Sequence, residues 1–329
     1  MPECRRPYSQ LGARSPIFAS DAQTPPPQPR RPLSATARSS ALSANAATGP
    51  GSESSKIYNT AAVLPALAMS STNFWHVGNW CIHTGQKYIE SPFLGPTKGV
   101  EVLNYAQPFV DAIELIEGAA VKSQASWELY NMSPEEFDER LSWADVVVFG
   151  DVETKCLMLH PDFFNRSKWQ GEYVTFPDRL EILKQWVSDG GHFHMLGGWY
   201  SFGGELGKGG WGRSIFHEVL PVICREGDDL IESTAGYAVR APKDHPVLEG
   251  IDFREMPPIL GFNETALRDG AEAILEVQYL HKWFPLLAVQ QFGLGKASAF
   301  TTSASPHWGI NLVKWDRYNQ LWKQLFTRL

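Results

Sequence analysis

The chain has 329 residues, 43% of them hydrophobic and 12% aromatic, which is ample for a packed core in one large domain or two ordinary ones. Its formal charge of −7 is unevenly divided: residues 1–70 carry seven bases and three acids, a balance of +4, which leaves −11 on residues 71–329. An acidic body argues against nonspecific binding to nucleic acid or anionic lipid, so neither is expected as a partner.

The first 70 residues are rich in Pro, Ser, Ala and Arg, and their few large apolar residues follow no helical or strand period. Such a segment cannot bury enough surface to offset its chain entropy, so a disordered extension over 1–70 is expected ahead of one domain over 71–329. Its Arg- and Ser-rich, acid-poor composition also fits an organelle transit peptide. An unstructured tail or an overextended gene model fits too, since Met69 stands just before the first convincing strand. The most apolar run, Ala61–Met69, is short and broken by Pro65, well below the roughly 18 to 20 residues of a membrane span, so no membrane partner is expected. Cys4, Cys81, Cys156 and Cys224 form no CxxC pair and are too few for a disulfide scaffold. That usage points to the cytoplasm, or to an organelle if residues 1–70 are a transit peptide.

From Asn73 onward, strands alternate with helices, the pattern of an α/β fold with a mainly parallel sheet. FWHVGNW (Phe74 to Trp80) is the first candidate strand. A helix follows at about Tyr105 to Glu117, where Phe109, Val110, Ile113 and Ile116 recur at helical spacing and Gly118 can stop it. A second strand is expected near Ala120 to Trp127. Ser133-Pro134-Glu135-Glu136 is a capping box that opens a short helix. WADVVVFGD (Trp143 to Asp151) is continuously apolar at its centre, as a parallel strand covered on both faces should be. Pro177 to Asp189 is the best helix, with Gly190 as its cap, and HFHML (His192 to Leu196) is the next strand. After Gly204 the rhythm loosens into glycine-rich loop and short β segments at Glu218 to Cys224 and Ala273 to Gln278. A hairpin-like pair at Leu286 to Gln291 and Lys296 to Thr302 follows, and an amphipathic helix carrying Tyr318, Leu321, Trp322 and Leu325 closes the chain.

Several of these pieces together resemble the putative glutamine amidotransferase family, a branch of the class I glutamine amidotransferase-like superfamily related to trehalose-utilisation type proteins. The matching segments are VGNW, ADVVVFGDV, GGHFHMLGGWYSFGG, GGWGRSIFHEVLPV, DHPVLEG, PPILGFN, GKASAFTTSASPHWG and WDRYNQLW, in family order over residues 73–329. The resemblance implies a flavodoxin-like, doubly wound, mainly parallel sheet. Ligands of such folds bind beyond the carboxyl ends of the strands, at the switch point. Gly150-Asp151, Gly197 to Ser201 and Ser305 to Gly309 all follow predicted strands and are expected to converge there.

Relatives that hydrolyse glutamine place a cysteine at the turn after the strand occupied here by HFHML, because the reaction passes through a thioester. The turn here reads Gly197-Gly198-Trp199-Tyr200, without one, so glutamine hydrolysis is not expected. Ser201 is the nearest hydroxyl and a candidate nucleophile; Gly203 meets one requirement of a G-x-S-x-G elbow and Trp199 fails the other, and a turn or cap hydroxyl is the competing reading. His307 resembles the superfamily's site histidine by position and can serve as acid or base, or can hydrogen-bond loop backbone and support Trp308. Asp151 can orient an imidazole, accept substrate hydroxyls, or cap a loop. Gly150, Gly197, Gly198, Trp199, Tyr200, Asn263 and Trp308 complete the candidate ligand-binding set.

His192 and His194 share one strand face and could contribute to a metal site only if a third ligand arrived. Buried packing beside aromatic residues is the plainer reading, and no metal is assigned. The run Gly203 to Gly212 lacks the Ser or Thr that a phosphate loop needs after Lys208, so no cofactor is expected there and a mobile flap over the crevice is the reading taken. The composite expectation is a small polar, carbohydrate-type ligand handled by hydrolase- or lyase-like acid/base chemistry, with a noncatalytic binding or assembly module as the alternative. A homo-oligomer stays open.

Overall fold

The computed structural model describes residues 71–89, 95–169, 173 and 175–329. The proposed extension over 1–70 lies outside the described residues. Fourteen strands and six α-helices occur among those described: β1 Thr72–Gly78, β2 Trp80–Ile89, β3 Gly95–Asn104, α1 Gln107–Glu114, β4 Ala119–Gln124, α2 Ser126–Asn131, α3 Pro134–Trp143 and β5 Val146–Gly150. They continue with α4 Lys155–Met158, α5 Arg179–Ser188, β6 His192–Leu196, β7 Val222–Cys224, β8 Leu230–Tyr237, β9 Val239–Arg240 and β10 Ile259–Asn263. Last come β11 Thr265–Leu267, β12 Glu272–Tyr279, β13 Lys282–Phe292, β14 Gly295–Phe300 and α6 Tyr318–Arg328.

Eight strands form the central sheet in the order β4-β1-β5-β6-β14-β13-β12-β9. The first five are mutually parallel and the rest antiparallel. The parallel part has the 2-1-3-4-5 order of flavodoxin-like sheets, with its reversal between β1 and β5.

Strand β5 shows why the sheet sits between two helical layers. Val146 and Val148 join Phe74, Phe109 and Trp322 in one buried cluster, which α1 and α6 cover. Val147 and Phe149 point the other way, into a cluster with Phe137 and Leu141 of α3 and Leu180, Leu183 and Val187 of α5. A strand buried on both faces needs no polar alternation, hence the unbroken VVVF. Helix α3 starts where Ser133 Oγ accepts the Glu136 amide at 3.1 Å and the Glu136 carboxylate accepts the Ser133 amide at 2.8 Å. For α5, the Asp178 carboxylate accepts the Leu180 amide at 2.9 Å.

Three findings differ from the sequence reading. Strands β2 and β3 pair antiparallel with each other apart from the central sheet, with Ile82 opposite Val102 and both about half exposed, at 47% and 52%. The region after Gly204 contains two further small sheets, β8 with β10 and β7 with β11. The glycine run is not an open flap: Gly209 N–H bonds Gly203 C=O, Thr154 N–H bonds Gly209 C=O, and Trp211 is fully buried with its Nε1 donating to Val152 C=O at 2.8 Å.

His192 and His194 both meet Ser298 Oγ, at 3.0 and 2.6 Å, and the His194 ring packs edge-on to Trp322 and Phe326. Among the described residues no cluster of His, Cys, Asp and Glu could hold a metal ion. No helix there is long and apolar enough to cross a membrane.

Burial lowers the pKa of His76 and His192 to about 4 and that of His194 well below its ordinary value. The fold therefore keeps these imidazoles neutral, while the unfolded chain protonates them below about pH 6.5. Stability is lost as pH falls through that range. Asp151 and Asp229, raised to about 6 by burial, oppose this, because the fold takes up their protons before the unfolded chain does. With His307, whose pKa is lowered too, four groups against two leave a net acid loss. In His194→Leu, the slope of unfolding free energy between pH 6 and 4.5, followed by urea titration, is expected to flatten by about 1.4 kcal/mol per pH unit.

Candidate functional site

Strands β1 and β5 end in register on Gly78 and Gly150. A Cβ on Gly78 would lie 1.8 Å from the Gly150 carbonyl oxygen, so the two chains can come this close only through glycine. The next residues, Asn79 and Asp151, turn the backbone through the left-handed region at φ 54° and 60°, which Asn and Asp tolerate better than most side chains. The switch point thus becomes a crevice with a polar side chain on either strand end.

The Asp151 carboxylate lies over Gly198, where a Cβ would be 2.5 Å from Oδ1. It accepts the Tyr200 amide at 2.7 Å and is also bonded by the Trp199 amide. Desolvation outweighs those donors and raises its pKa to about 6. Behind it, Asn263 is fully buried and holds the turn after β6. Its Oδ1 accepts the Gly198 amide at 3.0 Å, while Nδ2 donates to Gly198 C=O at 3.1 Å and to Asp229 Oδ1 at 2.8 Å. Asp229 in turn accepts the amides of Gly203 and Gly204 at 2.8 and 2.9 Å. The Gly197 amide is taken by the carbonyls of Phe300 and Thr302.

A cavity of about 330 Å³ opens at this end of the sheet. Its walls are aromatic: Trp80 and Trp127 meet edge-on at 6.5 Å, and the His307 ring stacks on Trp199 at 5.1 Å and tilts against Tyr105 at 4.8 Å. Trp199 and Trp308 both donate their indole N–H to one oxygen of Glu232, at 3.0 and 2.6 Å. His307 also turns through the left-handed region, at φ 80°, and burial beside His83 lowers its pKa. Its imidazole is neutral at pH 7 and able to accept a proton.

Of the residues proposed from sequence, Asp151, Gly198, Trp199, Tyr200, His307 and Trp308 line this one cavity. Gly150, Gly197, Ser201 and Asn263 stand behind it. Ser201 is buried, its Oγ donating to Leu196 C=O at 2.6 Å and accepting the Asp151 amide at 3.0 Å, which is the geometry of a structural hydroxyl. The amides of Gly197 and Gly198, both in the ligand-binding set proposed from sequence, are spent inside the protein. Asn79, Trp80, Cys81, Tyr105 and Trp127 also line the cavity, and Glu232 ties its wall together, yet none of the six stood among the sequence-based candidates. The strand-end rule alone points to Asn79-Trp80-Cys81 after β1 and Ser126-Trp127 after β4; Glu232 left no local signal.

A family model described as putative glutamine amidotransferase matches residues 98–329. A cytoplasmic protein of Salmonella typhimurium is similar in structure, with TM-score 0.66, 25% identity, and coverage of 78% of this chain and 98% of its own. A second cytoplasmic protein, of Salmonella typhimurium LT2, has TM-score 0.66 and 21% identity, covering 78% and 99%. A ThuA-like protein of Bacteroides uniformis also matches, at TM-score 0.40 and 10% identity, over 80% of this chain and 94% of its own. No curated protein sequence matches the chain.

Removing the Asn263 side chain takes away the acceptor of the Gly198 amide, the donor to the Gly198 carbonyl and one of the two donors to Asp229 Oδ1, all in a buried setting. Asn263→Ala is expected to lower stability by about 3 kcal/mol, measured as a shift in the urea midpoint at unchanged m-value.

Proposed function

The chain belongs to the putative glutamine amidotransferase family, and on that premise we propose that its crevice binds a small polar, ring-bearing molecule on which Asp151 and His307 do acid/base work. The observation that carries this reading is a carboxylate with pKa near 6, set into an aromatic cavity at the carboxyl ends of the parallel strands. A group that titrates there can lend and reclaim a proton near neutrality. His307 lines the same cavity without a hydrogen bond to Asp151 among the described residues, so the two groups would serve different atoms of the ligand. Flat aromatic faces favour a sugar-like ring, whose C–H face stacks on indole while its hydroxyls meet the carboxylate.

Thioester chemistry is not part of this proposal. The turn after β6 holds no cysteine, and although Cys81 lines the cavity, burial and the nearby charge of Asp151 raise its pKa and keep it a thiol. A noncatalytic binding module on the same fold has one observation in its favour: the Trp199 and Tyr200 amides, which could otherwise stabilise a developing negative charge, are already occupied by Asp151. A cytoplasmic location is proposed, in keeping with the two Salmonella proteins.

Two outcomes are expected. Purified protein incubated with glutamine releases no glutamate above background, and Cys81→Ser leaves that unchanged; robust release lost in Cys81→Ser would overturn the proposal. For any substrate found by thermal-shift screening of sugars, kcat/KM rises as pH increases through about 6 while Asp151 ionises. Asp151→Asn removes that limb and lowers the rate by roughly 10²-fold or more.

A further inference from the structure

The cavity wall has a charge bias as well as an aromatic one. Asp151 is partnered by backbone amides alone, with no cationic side chain against it among the described residues. None of the described lining residues is Lys or Arg. Lys208 lies 5.9 Å from the Tyr200 ring, but it is not a lining residue and is paired with Glu205 at 3.3 Å. Glu232 adds a second carboxylate behind the indoles of Trp199 and Trp308. The other polar lining groups, Asn79, Ser126, Ser303 and His307, carry no formal charge at pH 7, and the aromatic rings beside them turn the negative part of their quadrupole outward from their faces. Such a cavity repels anions and leaves a half-buried carboxylate without a counter-charge.

Resting on the reading that this crevice takes a small polar ligand, we propose that the ligand carries a cationic ammonium group, held against the faces of Trp80, Trp127 and Tyr105 and neutralised by Asp151. A cation fits both biases at once. It gains from the ring faces once water is displaced, and it gives the desolvated carboxylate the partner that the protein does not supply. A neutral sugar of the same shape would gain only the stacking. The same positive charge placed on a phosphate-bearing ligand would bring an anion against two carboxylates, so the class excludes nucleotides and sugar phosphates.

The test uses the full chain and two matched pairs of probes, glucosamine against glucose and choline against its neutral carbon isostere 3,3-dimethylbutan-1-ol, followed by quenching of tryptophan fluorescence and by calorimetry. The cationic member of a pair is expected to bind roughly tenfold more tightly than its neutral partner. Asp151→Asn, which retains the oxygen that accepts the Tyr200 amide, should erase that preference without loss of the native circular dichroism. Trp127→Leu, which keeps apolar bulk and loses the ring face, should weaken the cation severalfold and gives an independent reading if Asp151→Asn folds poorly. Equal or tighter binding of the neutral partners overturns the cation assignment. Should glucose bind and depend on Asp151 while glucosamine does not, the crevice reading stands and this inference falls. Silence from all four probes at about 50 mM, enough to reveal millimolar affinity, overturns both.

Discussion

Once the chain passes Gly197 beyond β6 it has no sheet partner for its amides, and the whole crevice follows from how that deficit is met. Buried N–H groups must be bonded somewhere. Here a carboxamide from β10 takes both polar groups of Gly198, a carboxylate after β5 accepts the amides of Trp199 and Tyr200, and Asp229 accepts the amides of the two glycines beyond. Three separate parts of the chain are thereby pinned to one turn. The geometry of Asp151 is a by-product of this arrangement, because the side chain that satisfies the turn is also the one that faces the cavity.

The raised pKa of Asp151 belongs to the same logic. Two backbone donors would ordinarily lower a carboxyl pKa, yet desolvation is the larger effect. The Asp229 carboxyl, with amide and carboxamide donors, also sits near 6. Both groups are held by neutral dipoles, which order the structure without cancelling its charge, and this distinguishes the site from an ordinary buried ion pair.

Where local chemistry dictated the outcome, the fold was legible in advance. The unbroken VVVF of β5, the Ser133 capping box and the HFHML strand each follow from interactions within a few residues, or from simple burial on both faces. The pairing of β2 with β3 was not legible, because it lies outside the main sheet and residues 80–104 carry no clean alternation. The same limit applied at the crevice. Residues directly after β5 and β6 could be nominated from strand ends, and the same rule extends to Cys81 after β1 and Trp127 after β4, whereas Glu232 reaches the crevice through tertiary placement alone. Gly197 and Gly198 show a subtler failure. Glycine is indeed required at Gly198, but by the carboxylate of Asp151, and at Gly197 by the carbonyl of Thr301.

Glu232 uses a single oxygen for two indoles, one partly exposed and one almost fully buried. The buried ring, Trp308, lies so close to Gly261 of β10 that no side chain would fit there. The outer ring, Trp199, carries the stacked His307. The rim of the crevice and a residue packed on a core strand therefore share one acceptor atom, so the position of each indole is tied to the same carboxylate.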